Sequence, residues 1–179
     1  MATETIQVDA VISPDNWTLS AGASKVLAVN TPDDDATSYI ASGATINTVQ
    51  SFTTANPTTI KPSDLITNVT VRNRCQRGGS LNAAFQAIIA VNGGTNAFGP
   101  SKNSQASWST FTSDFTTDPD GAPWTLESLN GLQVAIMNTQ TRDVWCSTLS
   151  ITITYTPVAT RPGNMAGGLS PMSGGFVNG

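Results

Sequence analysis

Histidine is absent from this 179-residue chain, and with it the side chain that most often takes and returns protons near neutral pH. No Ser or Thr therefore has an imidazole to turn it into a nucleophile, and no catalytic residue is expected. Charge is scarce as well. Asp, Glu, Lys and Arg make up 11% of the residues, against about a quarter in an average soluble domain, so the surface has to be neutral and polar. Eight basic against twelve acidic residues leave a net charge of −4. A nucleic-acid binder needs a basic stripe to displace counterions from phosphates; Arg72, Arg74 and Arg77 fall short of one, and no nucleic-acid partner is expected. No apolar run approaches the roughly 18–20 residues that span a bilayer, so no membrane partner is expected either. The segment Met1–Ile6 shows neither a basic n-region nor an apolar h-region, which points to synthesis in a cytoplasm. Cysteine is limited to Cys75 and Cys146, without metal-type or redox spacing. Buried reduced thiols are expected of them, and a bond between neighbouring strands stays open.

What the chain has in quantity is β-patterning. Ile6, Val8, Ala10 and Ile12 alternate with polar residues across Thr5–Ile12, the period of a half-buried strand. Further strands are predicted at 25–29, 37–41, 46–54, 65–74, 81–91 and 107–115, from 132, and at 143–155. In the segment 65–74, Leu65, Val69 and Val71, followed by Cys75, face one way, with Asn68, Thr70, Arg72 and Arg74 facing the other. The Arg77-Gly78-Gly79 turn predicts a long hairpin between this strand and the next, in which Leu81, Ala83, Phe85, Ala87, Ile89 and Val91 point inward. In the last strand Trp145, Leu149, Ile151, Ile153 and Tyr155 share one parity, so Trp145 is expected in the core opposite Leu81, Phe85, Ile89 and Val69.

A single short helix is predicted over 125–130: Thr125 is an N-cap, Glu127 suits the first turn, and Gly131 supplies a left-handed C-terminal residue. Eight to ten short strands with turns between them describe an all-β, antiparallel β-sandwich of jelly-roll or Greek-key type over residues 1–156. From residue 157 to 179 Gly, Pro, Met and Asn dominate, and the periodicity ends. That stretch is expected to be an extended arm whose Met165, Leu169, Met172, Phe176 and Val177 anchor on a partner chain.

Some features imitate sites. Asp33-Asp34-Asp35 and Asp118-Pro119-Asp120-Gly121 cluster carboxylates as calcium loops do, but the EF-hand spacing and its terminal Glu are missing. Asx turns account for them better, so neither metal nor cofactor is expected. Trp108, Trp124 and Trp145 are either core and inter-strand packing, the commoner use of aromatics, or a stacking platform for a sugar.

The order Trp17, Pro32–Ile40, Ile66–Arg72 with its Gly-Gly turn, the run "DPDGAPWTLESLNGLQVAI" from Asp118, and a closing strand ending at Tyr155 resembles a β-sandwich recurrent among structural proteins of tailed bacteriophages. The resemblance spans roughly residues 15 to 157. It implies a non-enzymatic virion component assembled in the bacterial host cytoplasm. The first expectation is a capsid decoration or cement protein that binds the major capsid protein and itself, as a homotrimer. The second is a receptor- or glycan-binding module of a tail fibre or baseplate.

Overall fold

The structure, a computed structural model, describes residues 1–21, 23–30 and 37–158. The expected anchors Met165, Leu169, Met172, Phe176 and Val177, and the aspartates 33–35, lie outside the described residues.

The chain is an all-β, antiparallel β-sandwich. In order it forms β1 (Ala2–Asp15), β2 (Thr18–Leu19), α1 (Lys25–Asn30), β3 (Ile40–Ala41), β4 (Val49–Thr54), β5 (Leu65–Arg77), β6 (Ala84–Val91), β7 (Ala97–Phe98), β8 (Lys102–Asn103), β9 (Ser109–Phe115), α2 (Leu126–Asn130), β10 (Leu132–Asn138) and β11 (Val144–Thr156). The first sheet centres on β11, flanked by β5 and then β9 on one side, and by β1 and the short β3–β2 pair on the other. The second runs β1–β4–β10–β6, edged by β7 and β8.

Strand β1 belongs to both layers. Its first half pairs with β11 and its second with β4, with a register shift between Val8 and Val11. The shift breaks the alternation expected of this strand. Ile6 and Val8 are buried, but Ala10 is exposed and Ile12 only half-buried. An extra residue bends a strand and increases its twist, which is what a strand crossing from one layer to the other requires.

Between the layers lie Val69, Val71, Leu149, Ile151 and Ile153 from the first sheet and Phe52, Phe85, Ile89, Val134 and Ile136 from the second, all essentially inaccessible. Trp17 and Trp124 also belong to this core, and their indole N–H groups donate to the Thr48 and Phe115 carbonyl oxygens at 3.1 and 2.9 Å. Buried indoles need such acceptors, because an unpaired buried donor is costly.

Two expected core members are elsewhere. Leu81 precedes β6 and is exposed. Trp145 is half-buried on the outer face, because β11 carries a bulge. Cys146 pairs with Cys75 and Thr148 with Arg74, so Ser147 is an extra residue. Each extra residue exchanges inside for outside: Val144 and Cys146 point inward with Leu149 and Ile151, and Trp145 points out. A second irregularity at Thr67 buries Ile66 and leaves Leu65 exposed, again opposite to its expected side.

The expected hairpin of β5 with β6 is also absent. The two strands lie in different sheets, β5 between β11 and β9 and β6 beside β10. The Gly78-Gly79 signal marks a connection that arches across the sandwich. Residues 25–29 are helical instead of extended. Ser24 caps α1, its Oγ accepting from Leu27 N at 3.2 Å, and the buried Ala28 and Val29 are consecutive, as on a helix face. So short an apolar run carries no decisive periodicity.

The α2 helix matches its expectation, with a capping box between Thr125 and Ser128. Gly131, however, has φ −101° and is not left-handed. A Cβ there would lie 2.2 Å from Asn92 Oδ1, so a larger residue would displace the end of that side chain. Asp118 forms the expected Asx turn, its Oδ1 accepting from Asp120 N and Ala122 N. Cys75 and Cys146 are buried free thiols, and burial pushes the Cys75 thiol well up, reinforced by the neighbouring Cys146.

Replacing Phe85, which is 1% exposed, with Ala should cost about 3–5 kcal/mol. The same change at half-buried Trp145 should cost less, about 1–2 kcal/mol. Denaturant melts of the two variants check this ordering.

At the sandwich edge Glu4 accepts from the backbone and hydroxyl groups of both Thr58 and Thr59. Partial burial pushes its carboxyl up, but these hydrogen bonds together outweigh that and hold it below its ordinary value of 4.5. A depressed folded value means stability that is present above the unfolded pKa and lost as pH falls through the folded one. Glu4→Gln should therefore lower stability at pH 7 and flatten its decline below about pH 4.5, as read from melting temperature against pH.

Candidate functional site

The outer face of the first sheet is a grid set by strand register. Along β5 the outward residues are Asn68, Thr70, Arg72, Arg74 and Gln76, as the alternation of that strand predicts. β11 sets Thr152, Ser150 and Thr148 beside Thr70, Arg72 and Arg74, and β9 sets Asp114, Thr112 and Thr110 on their other side. Thr148 and Ser150 are buried, so the accessible part of the face is made by the β5 and β9 rows, with Asn68, Thr70, Arg72, Arg74 and Gln76 beside Asp114, Thr112 and Thr110. It is a polar surface with two guanidinium groups and one carboxylate among its described residues.

One end of the grid is aromatic. Trp145 lies between Gln76 of β5 and Ala41 of β3. Tyr39, just before β3, stacks on it with ring centroids 4.6 Å apart and planes at 22°. Trp108, just before β9, packs against the other partner of this trio, with its ring 5.9 Å from that of Tyr39 and tilted by 58°. All three are half-buried.

The cluster is held in place from beneath. Trp145 Nε1 donates to Asp143 Oδ2 at 2.6 Å, while Asp143 Oδ1 accepts from Gly43 N at 2.8 Å and from Ser42 Oγ at 3.3 Å. Ser42 is fixed in turn by Asn138, whose Nδ2 donates to its Oγ and to nearby carbonyl oxygens. Ser20 fastens Tyr39, its Oγ accepting from Tyr39 N at 3.0 Å and donating to Tyr39 O at 2.7 Å. Ring faces locked by such contacts lose little rotamer freedom on meeting a ligand.

The polar tips behave differently from those in the core. The indoles of Trp17, Trp124 and Trp145 each have an acceptor. Among the described residues the Trp108 indole N–H and the Tyr39 hydroxyl have none, and neither atom is among the buried unsatisfied groups. Both face solvent with hydrogen-bonding capacity unused.

Of the three tryptophans singled out in the sequence, then, Trp124 is core, while Trp108 and Trp145 each pack against Tyr39 near the surface. Tyr39 escapes sequence reasoning, being a lone aromatic beside a two-residue strand, and so does Asp143. The signal that could have flagged Asp143 is the Asp143-Val144-Trp145 spacing, which sets a carboxylate and an indole on the same side of the chain.

A concavity lies on the outer face of the other sheet, a groove of about 340 Å³ lined by Val49, Ile88, Ala90, Ala135, Met137 and Phe98 among others. None of its lining residues is charged. It has one strongly exposed aromatic, Phe98, and suits apolar contact better than a hydroxyl-rich ligand. No cluster of His, Cys, Asp and Glu among the described residues is arranged to hold a metal ion.

No family model matches the sequence, and no curated protein matches it either. Among solved structures, the chain is similar to the C-terminal CBM6 of LamC, a laminarinase of Zobellia galactanivorans, with TM-score 0.47, 11% identity, and coverage of 86% of this chain and 99% of that one. It is also similar to a xylan-binding module, CBM15, with TM-score 0.46, 18% identity, and 88% and 100% coverage. A third similarity is to the CBM22-1–GH10 modules of a Clostridium thermocellum xylanase, with TM-score 0.45 and 13% identity over 82% of this chain. The chain spans about a quarter, 26%, of that longer protein. No ligand is carried over from any of them.

Gly78 lies against the cluster: a Cβ there would be 2.4 Å from Asp143 Oδ2 and 2.5 Å from Trp145 Nε1. Gly78→Ala should therefore displace the Trp145 ring while leaving the core strands intact. The check is loss of near-UV circular dichroism from stacked aromatics with an unchanged far-UV spectrum.

Proposed function

We propose that this chain is a non-enzymatic glycan-binding module that takes a polysaccharide along the outer face of the first sheet. The observation that carries this reading is the pre-positioned Tyr39–Trp108–Trp145 cluster, with two unused polar tips, at the end of a hydroxyl- and amide-rich face. Sugar rings present apolar C–H faces and a belt of hydroxyls. An aromatic plate beside a polar grid answers both, since aromatic side chains combine large apolar area with specific geometry. The carboxylate at the cluster, Asp143, is already committed to Gly43, Ser42 and Trp145. It serves there as a positioning group.

Within the virion setting that the sequence resemblance implies, the proposal makes the chain a receptor-recognition module of a tail fibre or baseplate. Capsid cementing, with the major capsid protein as partner and a trimer as the unit, stands as a second reading. The apolar groove around Ile88, Ala135 and Met137 favours it to the extent that such a surface suits protein contact.

Affinity electrophoresis of the full chain through gels containing neutral and acidic polysaccharides tests the first reading. At least one polymer should retard it. Tyr39→Ala and Trp145→Ala should each weaken binding by about ten- to thirtyfold, as expected for anchors at the centre of a contact, while both variants melt cooperatively. Mobility unchanged in every polymer, or variants retarded as strongly as the parent, would contradict it.

A further inference from the structure

The same face carries a charge feature that the aromatic cluster does not explain. Arg72 sits in the middle of the grid, four residues along β5 from Gln76 and so about 13 Å from the aromatic end. Its neighbours across the ladder are Thr112 and Ser150, both uncharged, although a carboxylate directly opposite would be favourable. Among the described residues the carboxylate of this face, Asp114, lies one pleat further on and is taken: Thr70 Oγ1 donates to its Oδ1 at 2.6 Å and Asn68 Nδ2 at 3.0 Å. Thr70 foremost, then Asn68, hold its carboxyl below the ordinary Asp value, with a smaller contribution from Lys102.

Arg72 therefore makes no hydrogen bond or ion pair among the described residues, where the one ion pair is Lys25 with Asp15. Next to the cluster, Arg77 donates to Asn82 Oδ1 and Arg142 to the Thr141 carbonyl oxygen. These partners are neutral too. In a chain with four more acidic than basic residues, Arg72, Arg77 and Arg142 have no carboxylate partner among the described residues. The planar fork of Arg matches carboxylate and sulfate oxygens two at a time.

Resting on the glycan-binding reading, we infer that the polysaccharide recognised is an acidic one, and that Arg72 reads a carboxylate or sulfate substituent about two pleats from the sugar stacked at Trp145. Arg72 is thus a specificity residue, and the aromatic cluster supplies affinity for the sugar backbone. Arg74, between them, is already engaged.

Binding of the full chain to matched polymer pairs tests this, polygalacturonate against its methyl ester and dextran sulfate against dextran, at low and at physiological salt. The acidic member of at least one pair should bind about tenfold more tightly than its neutral counterpart, the scale of a charged hydrogen-bonding partner. The preference should shrink as salt rises. The first pair reports on carboxylate and the second on sulfate. Arg72→Gln should bring the ratio of acidic to neutral binding to about one while the variant keeps the parent's cooperative melt.

Equal binding of both members of each pair, with Arg72→Gln indistinguishable from the parent, would overturn the inference and leave the glycan-binding reading standing. Binding to none of the polymers would overturn both. Binding of duplex DNA as tight as that of the acidic polymer, and insensitive to Tyr39→Ala, would also overturn it, showing a general attraction to polyanions.

Discussion

The candidate site depends on one extra residue in one strand. Without Ser147, the parity of β11 would carry Trp145 inward with Leu149, Ile151 and Ile153, and the outer face would end in hydroxyls. With it, the strand keeps its inner row by switching to Val144 and Cys146, which are small enough to pack where β11 meets β3 and β5. The indole turns out to meet Tyr39. The bulge breaks the ladder locally, and the conformational cost is offset by what gathers around the displaced ring: the Asp143 carboxylate beneath it, the Gly78 backbone against its edge, and the Tyr39 stack above. Bulges are concentrated where a strand has to re-aim a side chain.

The two outer faces of the sandwich divide the chemistry. The first sheet shows Thr, Asn and Arg rows ending in aromatics, and the second shows Ile88, Ala90, Ala135 and Met137 around a shallow groove. A ligand rich in hydroxyls gains more on the first, where donors and acceptors are regularly spaced at the pleat repeat. The second gains by excluding water. Because β1 runs through both sheets, the faces belong to a single hydrogen-bonded path and share one core.

Much of this was legible in the sequence, and the limits have physical causes. The alternation of β5 set Arg72 and Arg74 on the same side as Thr70, and the cap at Thr125 located α2. Parity failed wherever a ladder gains a residue. Ser147 and Thr67 are hydroxyl residues of the kind found throughout these strands, so neither bulge leaves a local mark. The Gly78-Gly79 pair read as a hairpin because glycine usually marks turn geometry, whereas Gly78 is small because the Trp145 edge and Asp143 occupy the space of its Cβ. Partner choice between β5 and β11, or β6 and β10, is a long-range decision that a local pattern does not encode. The Tyr39 site was hidden for the same reason, since residues 39, 108 and 145 meet only once the sheet is assembled.

The most direct test of the account follows the four indole N–H resonances by NMR while an oligosaccharide is titrated in. Binding at the proposed face should move the Trp108 and Trp145 signals progressively with ligand and leave those of the buried Trp17 and Trp124 in place. Saturable binding with all four signals unmoved, or with shifts confined to residues around Phe98 in the opposite groove, would contradict it.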